Sequence, residues 1–117
     1  MSEKKLQCAL IKAVSKTLLP KHPELALLFH IPNGELRDVR TAIALKRMGV
    51  LKGVPDLHLP VPRGGYAGLW LELKVETFET SPWQEAVHKM LRQYGHKVEV
   101  VRSVPQGLEV LTDYLND

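Results

Sequence analysis

GVPDL at residues 53–57 and LWLELKV at residues 69–75 are the two stretches of sequence that decide the fold. In the second stretch every other residue is aliphatic, which is typical of a strand with one face in a core. Glu72 and Lys74 share the opposite face, because side chains two positions apart on a strand point the same way. A Pro- and Gly-rich loop joins the two stretches. Because its length suits a hairpin, we expect Asp56 to lie beside Glu72.

These three charged side chains have a chemistry in common. A carboxylate and an ammonium on an otherwise apolar strand cost free energy unless they pair, bind a ligand or reach water. Two neighbouring carboxylates repel each other, and Mg²⁺, which prefers oxygen ligands, relieves that repulsion. The residues therefore predict Asp56 and Glu72 as ligands of a divalent cation. Lys74 would orient the attacking water or stabilise the developing anion.

The same residues have a simpler interpretation, which the sequence leaves open. A Glu-x-Lys pair on a strand is also typical of a solvated face with a weak ion pair. A Pro-Asp pair before a strand is often only a turn. The combination of the two, joined by a hairpin-length loop on a hydrophobic strand, favours a catalytic site over either feature alone.

The rest of the chain predicts a mixed α/β domain with a central sheet of about four strands flanked by helices. The third helix has the clearest start, because Ser81 and Gln84 form a capping box and Pro82 suits the first helical position. Apolar periodicity predicts helices over Glu3–Leu19, Glu35–Met48, Ser81–Gly95 and Pro105–Leu115, and strands over Ala26–Ile31, Pro55–Leu59, Leu69–Val75 and Lys97–Arg102.

The second predicted helix, residues 35–48, has apolar side chains nearly all round. A helix of this kind is usually covered on more than one side. The cover is either the rest of the same subunit or a second subunit, and the pattern alone does not decide between them.

Length and composition set broad limits. The 117 residues fit one domain, and a net charge of +3 suits a polyanionic partner. No apolar run approaches the ~20 residues of a membrane span, and the N-terminus lacks a signal peptide, so we expect a cytoplasmic protein and no membrane. Cys8 is the one cysteine, which excludes an internal disulfide. Its place on the apolar side of the first helix predicts a buried thiol.

A family resemblance covers nearly the whole chain. It rests on residues 30–33, 45–50, 52–57, 71–74, 81–84, 95–96 and 100–103, in that order. In these segments the chain resembles the VRR-NUC family, the virus-type replication and repair nucleases of the PD-(D/E)xK superfamily. The resemblance implies a restriction-endonuclease-like core and a single nuclease domain over residues 1–117. It also implies a stand-alone phage or prophage type, working in a bacterial host or phage-infected cell.

The resemblance also implies roles for individual residues. The catalytic set would be Asp56, Glu72, Lys74 and Gln84, with Gln84 equally well explained by the capping box. The metal, Mg²⁺ with Mn²⁺ able to substitute, would be held by the two acids and the backbone carbonyl of Leu73. Family members often add an acidic residue from the first helix, for which the candidates are Glu3 and Gln7. The family's Val-Arg-Arg is Val101-Arg102-Ser103 here, so this chain departs from it.

The implied activity is that of a structure-selective DNA endonuclease. Stand-alone viral members are implied to be homodimers that resolve four-way (Holliday) junctions, and a two-fold dimer suits two symmetric cuts. Three alternatives remain: a flap- or 5′-end-directed nuclease, a restriction enzyme with a sequence preference, and a non-catalytic DNA-binding module with the same fold.

Basic residues near the predicted site are candidates for contacts with DNA phosphates. For any single one of them, ordinary solvated helix charge is the favoured explanation. His30 and Asn33 are added because the family pattern has polar residues near the cleft, although a histidine at a strand end is often only structural. Without a base-reading motif, we expect recognition of DNA shape. The candidate DNA contacts are Arg37, Arg40, Lys46, Arg47, Lys52, Arg63, His30 and Asn33.

Overall fold

The chain folds as four α-helices around a four-stranded sheet in a computed structural model that describes residues 1–32 and 38–116. The predicted mixed α/β class is therefore confirmed. The helices are α1 (Glu3–Ala13), α2 (Val39–Arg47), α3 (Pro82–Gln93) and α4 (Val104–Leu115), and the strands are β1 (Phe29–His30), β2 (Leu57–Leu59), β3 (Leu69–Leu73) and β4 (Lys97–Val101).

The strands lie in the order β1-β2-β3-β4. β2 is antiparallel to both β1 and β3, with Leu57 opposite Leu71 and Leu59 opposite Leu69. β4 is parallel to β3, and α3 forms the crossover between them. The predicted hairpin between β2 and β3 therefore exists. β3 lies inside the sheet, with a partner strand on each side.

One face of the sheet forms the hydrophobic core. The leucines of β3 and β2 are completely buried there and pack with side chains of α1 and α4. α3 lies against the other face, where Glu72 projects from β3. The core residues with 0–2% exposure are Leu6, Leu10, Leu57, Leu59, Leu69, Leu71, Leu73, Val101, Leu111 and Tyr114.

Two local predictions were wrong. Residues 26–31 were expected to form one strand, but Pro23–Leu27 is a 3₁₀ helix and only Phe29–His30 pairs as a strand. Proline at the first position, with its fixed φ, favours that helical turn. Cys8 is exposed rather than buried, because the buried side of α1 is carried by Leu6 and Leu10.

The second helix is largely uncovered by the described part of the chain. α2 spans Val39–Arg47 and buries none of its residues, with Val39 75% and Ile43 49% exposed. Burial against the described residues of the subunit therefore does not account for its apolar pattern. The first residues of the predicted helix, 35–37, lie outside the described residues. Among the helices that the structure describes, none is long and apolar enough to cross a membrane.

Candidate functional site

Asp56 and Glu72 meet at the edge where β2 begins and β3 ends. Asp56 Oδ2 accepts a hydrogen bond of 2.7 Å from the backbone N–H of Leu73, the residue next to Glu72. The two carboxyl groups lie close enough for each to shift the pKa of the other. The hairpin thus brings together the two acids that the sequence separates by a loop.

The backbone of Asp56 is held from the other side by β1. Its carbonyl oxygen accepts the Ile31 N–H at 2.9 Å and lies 2.8 Å from His30 Nδ1. If this second contact is a hydrogen bond, His30 carries its proton on Nδ1 and leaves Nε2 free. His30 is exposed, so the structure places it beside the acids with one nitrogen toward solvent.

Glu72 is held by two side chains from one face of α3. Gln84 Nε2 donates to Glu72 Oε2 at 3.3 Å, and His88 Nε2 lies 3.1 Å from Glu72 Oε1. Gln84 also completes the capping box, its Oε1 accepting the Ser81 N–H at 2.8 Å. The two explanations for Gln84 are therefore compatible, because one amide uses its oxygen for the cap and its nitrogen for the carboxylate.

Burial and proximity shift the pKa values of both acids. Burial, followed by the neighbouring Glu72 carboxyl, raises the pKa of Asp56 from 3.8 to about 7. Burial likewise raises the pKa of Glu72, whose side chain is 1% exposed. Near neutral pH the metal-free pair therefore holds a proton more strongly than two solvated acids would.

Lys74 lies close enough to Glu72 to act on the charge of that carboxyl. Its side chain is 12% exposed, and Nζ is 4.0 Å from Glu3 Oε2 at the start of α1. Lys74 and Glu3 also act on Glu72 electrostatically, Lys74 lowering its pKa and Glu3 raising it. Of the two candidates on the first helix, Glu3 is thus the one that the structure brings to the acids. Gln7 is half-buried one turn further along α1.

A small cavity of about 150 Å³ opens beside Asp56. One wall is the loop before β2, and the other is the first turn of α3. Gly53 allows the two walls to touch: its φ is +94°, and a Cβ there would lie 2.5 Å from the Trp83 carbonyl oxygen. The lining residues are Lys52, Gly53, Val54, Asp56, Ser81, Trp83 and Gln84.

The candidate DNA contacts occupy different surroundings. Arg40, Lys46 and Arg47 are exposed on α2. Lys52 lines the cavity, with Nζ 4.9 Å from the centre of the Trp83 ring. Arg63, whose side chain is 33% exposed, forms an ion pair of 2.8 Å with Glu24. Arg37 and Asn33 lie outside the described residues.

His88 is the site residue that the sequence analysis did not find. Its spacing from His22, His58 and His96 in the sequence is not that of zinc ligands, so the sequence gives it no metal-binding role. The available signal was the separation of four between Gln84 and His88, which places two hydrogen-bonding side chains on the same face of α3. That signal becomes meaningful once Glu72 is known to face this helix.

The site offers a cation the oxygen atoms of two carboxyl groups, and not a complete set of coordinating side chains. No group of three or more His, Cys, Asp and Glu side chains within residues 1–32 and 38–116 is arranged to hold a metal. Two close carboxyls with raised pKa values nevertheless fit Mg²⁺, which usually takes one or two carboxylates and keeps several waters.

Two comparisons with known proteins gave matches. The family model described as "VRR-NUC domain" matches residues 3–105. A solved structure titled "VRR_NUC domain protein" superimposes with a TM-score of 0.83 and is 26% identical in sequence. The match covers 99% of this chain and 89% of that one. The search of curated proteins gave no match.

Proposed function

Because the chain belongs to the VRR-NUC family of nuclease-type DNA-processing domains, we propose that it is a divalent-metal-dependent endonuclease that hydrolyses DNA phosphodiester bonds. The proposal takes residues 1–117 as one nuclease domain acting on branched DNA. The observation that carries it is the convergence of Asp56 and Glu72, tied together by the Leu73 N–H, with Lys74 alongside.

Asp56 and Glu72 are the proposed metal ligands, with Mg²⁺ as the cation and Mn²⁺ as its substitute. A bound divalent cation would lower the pKa of water and offset the charge that builds on the phosphate. The Leu73 carbonyl is the third proposed ligand. Its support is that the N–H of the same residue already points at Asp56, and a strand residue directs both backbone groups toward the same neighbour.

Lys74 and Gln84 complete the proposed catalytic set. Lys74 has a charge-bearing nitrogen near Glu3 and Glu72, where it can orient the attacking water or stabilise the developing anion. Gln84 holds Glu72 through its amide nitrogen while its oxygen is fixed by the helix cap. Glu3 is the proposed additional acid from α1.

The proposed substrate is a four-way junction, cut by a homodimer. A two-fold dimer presents two equivalent sites, which suits symmetric cuts in two strands. Exposed apolar side chains on α2, including Val39 and Ile43, favour this helix as part of the dimer contact. Exposed Arg40, Lys46, Arg47 and Lys52 are the proposed phosphate contacts, joined by His30 beside the acids and by Asn33, Arg37 and Arg63 as weaker candidates.

Cleavage of a panel of labelled DNAs tests the proposal. The panel contains a four-way junction, a 5′ flap, linear duplex and a single strand, each with Mg²⁺, Mn²⁺ or EDTA. We expect metal-dependent symmetric cuts in the junction and intact linear duplex. Glu72→Gln, which keeps the side-chain shape and removes the charge, is the matched inactive control.

The other outcomes separate the alternatives. Preferred cutting of the flap identifies a flap- or 5′-end-directed nuclease, and defined cuts in linear duplex identify a restriction enzyme. Binding of the junction without products at any metal concentration identifies a non-catalytic DNA-binding module.

A further inference from the structure

His88 is buried beside Glu72, on the side of that carboxylate that faces α3. It lies in α3 and is 1% exposed, like Glu72 itself. Its Nε2 is 3.1 Å from Glu72 Oε1. It is one of the two α3 side chains that contact the Glu72 carboxylate.

The two α3 side chains that contact Glu72 reach different oxygens of its carboxylate. Gln84 reaches Oε2 and His88 reaches Oε1, so each oxygen has a partner from the helix. A carboxylate oxygen has a second lone-pair direction, which these contacts leave for Asp56 or a cation. With both oxygens held, the carboxylate plane cannot rotate freely. Carboxylates that bind metals are commonly fixed by such hydrogen bonds.

A space-filling role explains His88 less well than a polar one. Burying an imidazole and a carboxylate costs free energy unless the two are hydrogen-bonded to each other or to other partners. A leucine at position 88 would fill the space between α3 and the sheet without that cost. The Nε2 nitrogen contacts a Glu72 oxygen, and no group of three or more His, Cys, Asp and Glu side chains in the described part of the chain is arranged to hold a metal with it.

We infer that His88 is a positioning residue, whose Nε2–H holds the Glu72 carboxylate in the orientation that a divalent cation requires. The inference rests on the proposed function, because it assigns Glu72 to a metal. It predicts that His88 affects metal affinity through its hydrogen bond and not through its ring. A side chain that donates from the same place should therefore replace it.

Titration with Mn²⁺, followed by the electron paramagnetic resonance of the free ion, tests this without DNA or catalysis. We expect His88→Leu to weaken Mn²⁺ binding by about 10–100-fold, the usual effect of losing a group that hydrogen-bonds a metal ligand. His88→Gln, whose amide nitrogen can donate to Glu72, should bind close to the parental affinity. His22→Leu, at the surface beside Glu24, controls for unspecific binding by histidine.

Each result has a definite meaning. Parental affinity in folded His88→Leu overturns the inference, and so does an equal loss in folded His88→Leu and His88→Gln, which would assign the effect to the ring. If the parental chain binds no Mn²⁺, the proposed function itself fails, and the inference fails with it.

A second measurement needs no variant. In the ¹⁵N-labelled metal-free protein, long-range proton–nitrogen correlation spectra distinguish the two imidazole tautomers. The inference requires His88 to carry its proton on Nε2. A neutral His88 protonated on Nδ1 would leave Nε2 unable to donate and would overturn it.

Discussion

The Asp56 carboxylate accepts the backbone N–H of Leu73 at 2.7 Å, so the start of β2 is tied to the end of β3. An asparagine at position 56 can accept the same bond but carries no negative charge. We therefore expect Asp56→Asn to fold normally. Its cleavage rate should fall by more than about 100-fold, because losing even a group that only hydrogen-bonds a metal ligand lowers activity by about 10–100-fold. Junction cleavage and circular dichroism measure the two effects. Cutting at the parental rate would remove Asp56 from the site.

Replacing Lys74 should affect chemistry more than binding. Lys74→Ala removes the positive charge that lies near Glu3 and Glu72. We expect cleavage to fall about 10²–10³-fold, the usual effect of losing one group that stabilises developing charge. Binding of the junction, measured in Ca²⁺, should change little. The control is Lys89→Ala, an exposed lysine on α3. A large loss of DNA affinity in Lys74→Ala alone would instead make Lys74 a binding residue.

The metal-free protein should lose stability as the pH rises toward and through 7. Burial and the Glu72 carboxyl raise the pKa of Asp56 to about 7, whereas an aspartate in an unfolded chain titrates near ~3.9. Between these values the folded state binds the proton more tightly, so its contribution is complete below the unfolded pKa and is lost above the folded one.

Urea unfolding in EDTA at pH 5 and pH 8 measures this effect. We expect a lower midpoint at pH 8, and a smaller drop in Asp56→Asn, which has no proton to lose there. The difference between the two proteins isolates Asp56 from His88, whose pKa is lowered by burial. Mg²⁺ should restore stability at pH 8, since it binds the ionised acids of the folded state. Equal pH dependence in both proteins would contradict the prediction.

Glu3 and Gln7 can be distinguished by metal affinity. Glu3 lies 4.0 Å from Lys74 Nζ and acts on the charge of Glu72. We expect Glu3→Gln to weaken Mn²⁺ binding by about tenfold, the lower end of the effect of groups around a metal ligand. Gln7→Ala, on the same helix, should bind as the parental chain does. The opposite ranking would assign the α1 contribution to Gln7.

A charge on α2 should separate the subunits without unfolding them. Ile43 is 49% exposed and α2 buries none of its residues within the described chain. We expect Ile43→Glu to give a monomer of about 13.2 kDa in light scattering, with an unchanged thermal midpoint. Ala44→Glu, on a different side of α2, is the control and should remain dimeric. A parental protein that is monomeric at assay concentrations would exclude the dimer.

Local sequence patterns were sufficient to predict β3 and the start of α3. The alternation of Leu69, Leu71 and Leu73 and the Ser81–Gln84 box each involve neighbouring residues, so no knowledge of the fold is needed. The short apolar run at residues 26–31 was ambiguous, because such runs suit strands and helical turns alike. The hairpin then placed Asp56 beside Glu72, as loop length suggested.

Tertiary contacts account for what the sequence could not show. Glu72 contacts His88, 16 positions away, and no local pattern says which strand residue faces which helix residue. Arg63 was a candidate DNA contact, and its ion-pair partner Glu24, 39 positions away, could not be found from local sequence. Likewise, the apolar pattern of α2 does not reveal that the described chain leaves this helix open.

Gly53 determines how closely the two halves of the site approach each other. With a methyl group at this position 2.5 Å from the Trp83 carbonyl, the loop that leads to Asp56 would have to retreat from the helix that carries Gln84 and His88. The Asp56 carboxylate would then move away from both the Gln84 amide and the His88 imidazole. Gly53 therefore contributes to the site by having no side chain, which lets the loop before β2 lie directly against α3.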